Sequence, residues 1–596
     1  MILQWVDWLS VIAFFVISLI IGISVSKKAG SSSLEFFASG RNMPWWLLGI
    51  SMVATTFSTD TPNLVSDLVR QHGVSGNWQW WAFLLTGMVT VFIYAKLWRR
   101  SGVLTDIEFY ELRYSGKAAA FLRGFRALYL GVFFNVIIMA TVSLAAIKIG
   151  GVMLGFSPLK TILISSIIVV IYTMLGGLRG VLITDFVQFI IAMAGAVAAA
   201  YIAVNLPEVG GLSKMLSHAS LKGKLSILPD FSDTSLLVTV FIIPIAVQWW
   251  SVWYPGAEPG GGGYIAQRML AAKNEKHAVA ATFFFNIAHY ALRPWPWILV
   301  ALASLIVFPD LESLRSAFPQ LPEDLVKHDL AYPAMLTFLP AGLLGVVVAS
   351  LTAAFMSTIS THLNWGASYI VNDFYKRFIS RNPSEKRLVL VGRASIVILM
   401  TLAAILALFL ENALQAFHIL LQIGAGTGLL FLLRWFWWRI NAASEIAAMF
   451  ISFFTAIYFE FIHNKLGFPE LIEWQKLVIG VGVTTAGWII VTLLTKPSEA
   501  RTLLSFYRKV HPGGPGWRKV LEEAKQSGED VEEYLKAKWS FPSDLLMVFL
   551  GLILIYSSLF GVGFWIYDNI LAAVITTATA ILSALLLIMV RRKVKT

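Results

Sequence analysis

The chain contains no cysteine. That excludes a disulfide framework, thiolate metal sites, cysteine nucleophiles and thiolate-held iron–sulfur clusters. Charge is scarce too: 13% of the 596 residues carry it, against about a quarter in soluble globular chains. The sequence has no His-Glu-x-x-His zinc pair and no Gly-x-Ser-x-Gly elbow, so a membrane-embedded hydrolase has no footing and no enzyme is expected. The glycine run Gly260–Gly263 lacks a following Gly-Lys-Ser/Thr; it reads as a flexible loop, not a phosphate cradle.

Apolar residues fill the space that charge leaves, at 57% of the chain. They fall in about fifteen continuous stretches, each near the roughly 20 residues needed for a helix to cross a hydrocarbon core. Barrel strands would alternate over about ten residues. The expected fold is therefore an all-α polytopic membrane protein with about 15 transmembrane helices. The first stretch, from Trp5 to Val25, lacks a basic leader and a small-residue cleavage site and carries Asp7, so it reads as a retained span.

The net charge of +12 needs no nucleic-acid partner. Most Lys and Arg cluster in alternate connections, including Lys27 to Arg41, Lys96 to Arg126, Lys376 to Arg393 and Lys496 to Lys538. Positive residues mark the cytoplasmic side, which predicts an inner (plasma) membrane protein with its N-terminus outside and its C-terminus cytoplasmic.

The second and seventh stretches share polar and proline interruptions and lie five spans apart. Two five-helix units of odd number insert with opposite orientation, which is the inverted-repeat plan of secondary transporters. The chain then divides into an extra span and inner loop (1–43), a first repeat (44–204), a second repeat (233–436), additional spans (437–495), a cytoplasmic connector (496–540) and two C-terminal spans with a basic tail (541–596). The connector reads as solvated.

The densest chemistry lies in Ala54-Thr-Thr-Phe-Ser-Thr-Asp-Thr-Pro-Asn63. Pro62 cannot donate to a helix ladder, and Thr59, Asp60 or Thr61 can cap a new half-helix. A break there frees carbonyls for a cation and points a positive helix end at a solute. Thr56, Ser58 and Asp60 are candidate solute contacts. In the ninth stretch, Ser357 and Thr358 offer hydroxyl oxygens, which serve equally as packing groups on membrane helices.

The eighth stretch carries Asn286, His289 and an intramembrane Arg293, three further candidate solute contacts. Such an arginine needs an anion, a carbonyl cage or water. Asp60, an acidic substrate and a snorkelling path all remain open as its partner. Trp78, Trp80 and Trp81 read as an interfacial aromatic belt, although Trp78 could close over a solute.

Five segments in order resemble the sodium:solute symporter family, which includes sodium/glucose and sodium/proline cotransporters: Glu35 to Trp46, Ser51 to Asp67, Gly176 to Gln188, Gln267 to Asn274, and Met356 to Lys376. The resemblance implies a five-plus-five core of the leucine-transporter type and Na+ as the coupling ion. It also implies a sodium site built from the carbonyls of Ala54, Phe57 and Ala354 and the hydroxyls of Ser357 and Thr358. Asp185 would lie on the sodium path, and Gln248 and Ser251 would face the solute. The implied activity is sodium-driven symport of a small organic solute, with sugar favoured by the Gln267-Arg-Met-Leu-Ala-Ala-Lys273 stretch. An amino acid or carboxylate, proton coupling and a transporter-like membrane solute sensor are the alternatives. The expected partners are the solute, sodium and the lipid bilayer, with no obligate protein partner.

Overall fold

The computed structural model describes residues 3–252, 258–380, 382–410 and 413–595. The part of the seventh-span motif running from Trp253 to Gly256 lies outside them. The described residues form helices and two isolated bridges, with no strand among them. Twelve helices are long and apolar enough to cross a membrane. One of these, Pro158–Val204, turns at Gly177, where φ is +52°, and so supplies two spans. Two further crossings are interrupted: Trp45–Thr56 with Asp60–His72, and Ala413–Gly424 with Gly428–Leu433. Counted this way, the fifteen expected crossings are all present.

A carbonyl or carboxylate inside lipid must be satisfied within the protein, and the first span shows how. Asp7 on Trp5–Ala29 accepts the backbone N–H groups of Gly342 and Gly345, each at 2.7 Å. It thereby caps the ninth span, Leu343–Ile379, where the helix dipole favours a negative charge. The fourth span, Gly116–Leu154, is tied at the same face by Lys148, whose Nζ lies 2.7 Å from Asp329; both side chains are fully buried. We call this the N-terminal face. The opposite, C-terminal face carries the connector.

Two segments differ from their sequence reading. The connector is docked, because its helices Ala500–Val510 and Arg518–Gln526 bury Leu503, Phe506, Tyr507, Val510 and Leu521. Trp517 donates to the Trp435 carbonyl at 2.8 Å, and Arg113 lies over the Trp517 ring at 4.8 Å. Residues 258–272 are buried rather than a loose loop. Within them Gly263–Ala271 forms a helix that serves as the C-terminal-face half of the seventh span begun by Thr234–Ser251. Gly261 suits this turn because its φ of +82° is one that L side chains rarely adopt, and a Cβ there would also press on the Met269 side chain.

Lys148→Ala is expected to lower stability by about 3–5 kcal/mol, since it strands a buried carboxylate. Pairing Lys148→Met with Asp329→Leu should recover most of that loss in thermal-inactivation assays. The absence of cysteine allows a second test: Ser220→Cys should react with an impermeant maleimide on intact cells, and Ser527→Cys only after permeabilisation. Labelling of both from one side would contradict the separation of the two faces.

Candidate functional site

The second span stops at Thr56 and restarts at Asp60, as the Pro62 signal suggests. Phe57 leaves helical geometry at φ −89°, ψ 81°, and its ring packs edge-on against Trp297 at 4.9 Å. Thr59 donates to the Val142 carbonyl at 3.1 Å, so a hydroxyl holds the open backbone to the fourth span. Its side chain makes no cap hydrogen bond.

The ninth span supplies the facing wall. The Thr358 hydroxyl lies 2.7 Å from the Thr55 carbonyl and 3.1 Å from that of Ala354. Ser357 donates to Asp185 Oδ1 at 2.6 Å, and Ser51 donates to Oδ2 at 2.5 Å. Ala54, Phe57, Ala354, Ser357, Thr358 and Asp185 are all buried. Of the residues expected around sodium, Ala354, Ser357 and Thr358 meet the second span at Thr55 and the sixth at Asp185, while Ala54 and Phe57 stand on either side of Thr55 along the chain.

Sequence reasoning missed the cation already present. Arg268, fully buried on the helix Gly263–Ala271 of the seventh span, donates to Thr361 at 2.7 Å and to Ser51 at 3.2 Å, with Asp185 at 4.0 Å. Its neighbour Gln267 donates to the Phe37 carbonyl at 3.0 Å and to Asn364 at 3.1 Å. The signal was the Gln-Arg pair, but only the three-dimensional arrangement shows that it faces Asp185.

Beside this contact lies a cavity of about 120 Å³. Thr56, Ser58, Asp60, His289 and Arg293 line it together, with Thr55 and Thr358 in its wall and the rings of Trp80, Tyr264 and Tyr290 around it. Arg293 donates to Thr56 at 3.2 Å and to the Val53 carbonyl at 3.3 Å, approaches His289 Nε2 at 3.3 Å, and lies over the Trp297 ring at 5.3 Å. Among the described residues, no carboxylate oxygen comes within 4.0 Å of it. It therefore sits in a cage of oxygens and aromatic faces, and no ion pair with Asp60 forms. His289 bridges Thr56 and Arg293.

Three candidates lie elsewhere. Gln248 faces a separate cavity on the N-terminal face. Ser251 turns back onto the Val247 carbonyl at 2.5 Å. Asn286 lines a pocket of about 20 Å³ beneath Gly87 and Gly261. The aromatic-belt reading also changes: Trp78, Trp80 and Trp81 are buried, Trp78 donates to the Ile227 carbonyl at 3.0 Å, and Trp80 lines the 120 Å³ cavity.

Residues 36–452 match the sodium:solute symporter family. The chain belongs to that family. Among its relatives, the sodium/glucose cotransporter of Vibrio parahaemolyticus is 26% identical over 80% of this chain and 89% of its own length. The sodium/sialic acid symporter SiaT of Proteus mirabilis (strain HI4320) is 24% identical over 75% and 88%. The substrate-bound, outward-open structure of a Na+-coupled sialic acid symporter superposes with a TM-score of 0.65 at 20% identity, covering 83% of this chain and 99% of that one. This likeness establishes the leucine-transporter type of fold for this member of the sodium:solute symporter family.

A monovalent cation beside Ser357 gains from the Asp185 charge, while Arg268 opposes it. Asp185→Asn is therefore expected to raise the NaCl concentration for half-maximal thermal stabilisation by about tenfold, roughly 1.4 kcal/mol, relative to choline chloride. An unchanged titration would remove Asp185 from the cation's surroundings.

Proposed function

We infer that this protein is a sodium-coupled symporter that carries a small polyhydroxylated solute by alternating access. One observation carries the reading: Thr55 and Thr358 belong both to the oxygen-rich contact of the second and ninth spans and to the wall of the solute cavity. A cation drawing on the Ala54, Phe57 and Ala354 carbonyls and the Ser357 and Thr358 hydroxyls fixes the broken span against the ninth. That same act shapes the wall the solute meets. Binding of each ligand then favours the other, as reciprocal coupling requires.

The cavity chemistry suits hydroxyl groups. Arg293, His289, Thr56 and Asp60 offer donors and acceptors on one side, and Trp80, Tyr264 and Tyr290 offer faces for an apolar ring surface. The named activities of the relatives, glucose and sialic acid cotransport, agree with a sugar-like solute. The opposite charges of Asp60 and Arg293, held apart in one cavity, favour a second reading in which an amino acid or carboxylate is carried. A single sodium moving down about 100 mV supplies about 2.3 kcal/mol, roughly fifty-fold accumulation at one-to-one coupling.

The test is uptake into proteoliposomes at fixed pH with an inward sodium gradient, across sugars, amino acids and carboxylates. Sodium should stimulate uptake of one class, and Ser357→Ala combined with Thr358→Ala should reduce that stimulation at least about tenfold. Uptake driven by a proton gradient alone would overturn sodium coupling, and no uptake under any gradient would overturn symport.

A further inference from the structure

A cavity of about 280 Å³ lies toward the N-terminal face between the first, fourth, fifth and ninth spans, and Thr59 of the helix break forms part of its wall. Four hydroxyls line it, and each is already engaged. Thr59 donates to the Val142 carbonyl at 3.1 Å, Thr161 to that of Ser157 at 3.2 Å, Ser165 to that of Thr161 at 2.9 Å and Thr352 to that of Val348 at 2.8 Å. Apart from these and the indole of Trp8, the wall is aliphatic and phenyl carbon. A space without two or more free polar partners does not hold ordered water, so neither water nor a polar solute suits it. Ile164 on its rim is 44% exposed, and the cavity therefore opens sideways toward lipid.

A cation stands at one edge. Phe156 lines the cavity, and Lys160 Nζ lies 4.0 Å from the centre of its ring. No carboxylate oxygen comes within 4.0 Å of Lys160 among the described residues. Lys160 sits in the first turn of the helix Pro158–Val204, where a positive side chain opposes the helix dipole. That placement costs the helix something unless an anion lies beside both.

We propose that this cavity holds one acyl chain of a phospholipid from the leaflet on the N-terminal face, with the lipid phosphate at Lys160 and the start of the fifth span. The headgroup layer supplies the anion that the lysine and the helix end lack. Trp8, one turn into the first span, brings an indole of the kind that settles at headgroup level. The chain packs on Thr59 and, along one face of the ninth span, on Val348, Leu351 and Phe355. It thus fills the space beside the helix break, where an empty cavity would forfeit dispersion contacts on every side. The inference does not depend on which solute the protein carries.

The test uses the full chain in detergent with a phosphatidylglycerol that bears a photoreactive diazirine midway along one acyl chain, followed by peptide mapping of the adducts. Wild type should give adducts on residues 146–154 and 348–355. Lys160→Gln, at an exposed position that leaves the fold intact, should lower their yield about fivefold. Ser165→Phe fills the cavity from the fifth span and should abolish them. In lipid-free detergent this variant should also keep the melting temperature that wild type reaches only with phosphatidylglycerol, which separates a filled cavity from a misfolded chain. Adducts confined to the outward-facing Leu163 and Ile167, or cavity adducts that survive Ser165→Phe, would mean annular lipid only and overturn the site. Equal labelling of the cavity by a diazirine fatty alcohol without phosphate, together with no effect of Lys160→Gln, would overturn the place of the headgroup.

Discussion

The interruption of the second span between Thr56 and Asp60, opened where Phe57 leaves helical geometry, governs the rest of the site. In a membrane a broken helix must find partners for the groups it frees, and here the partners come from three directions. Thr358 reaches the Thr55 carbonyl, Thr61 reaches that of Thr56, and Thr59 leans on Val142. Hydroxyls are suited to this work because they satisfy a carbonyl without bringing a full charge into lipid. They also yield readily to a cation, since a carbonyl released by a hydroxyl is immediately a ligand.

Charge deep in the fold is treated differently. Arg268 and Asp185 stay 4.0 Å apart, joined through Ser51, so neither is fully neutralised by the other. A tight buried pair contributes little net stability, but a loose one leaves an acceptor field that a mobile cation can share. The segments that carry the family resemblance converge on this neighbourhood: Gln267 holds Phe37, Asn364 holds Phe36, and a Cβ on Gly177 would collide with the Phe36 carbonyl at 2.9 Å.

This explains which parts were legible in the sequence. The helix break is written in local chemistry that lipid forbids without a reason, so it stands out by itself, whereas the hydroxyls of Ser357 and Thr358 read equally as packing groups and Asp185 was marked only by the family resemblance. The crossings were legible because lipid imposes a length and a composition. Gln248, Ser251 and Asn286 were polar for separate local reasons, and no pattern along the chain distinguishes a cavity-facing amide from one facing a different cavity. The burial of Trp80 depends on spans distant in sequence. The docked connector was readable: Leu503, Phe506, Tyr507 and Val510 recur at helical spacing, and the surrounding charge masked that stripe.

The penultimate helix, Phe541–Ile566, is bolted to the third and eighth spans. Lys96 meets Asp544 at 2.6 Å, Trp295 donates to the Leu559 carbonyl at 2.8 Å, and Tyr556 donates to that of Trp81 at 2.9 Å. The last helix, Ile570–Lys595, packs along it with Ile575, Ile581 and Ile588 turned outward. Any swing of the third and eighth spans must therefore drag this two-helix outrigger sideways through the acyl chains. The pair is then a keel: it stands outside the central helices and meets the acyl chains along its length, so lipid resists any movement of the spans it is bolted to.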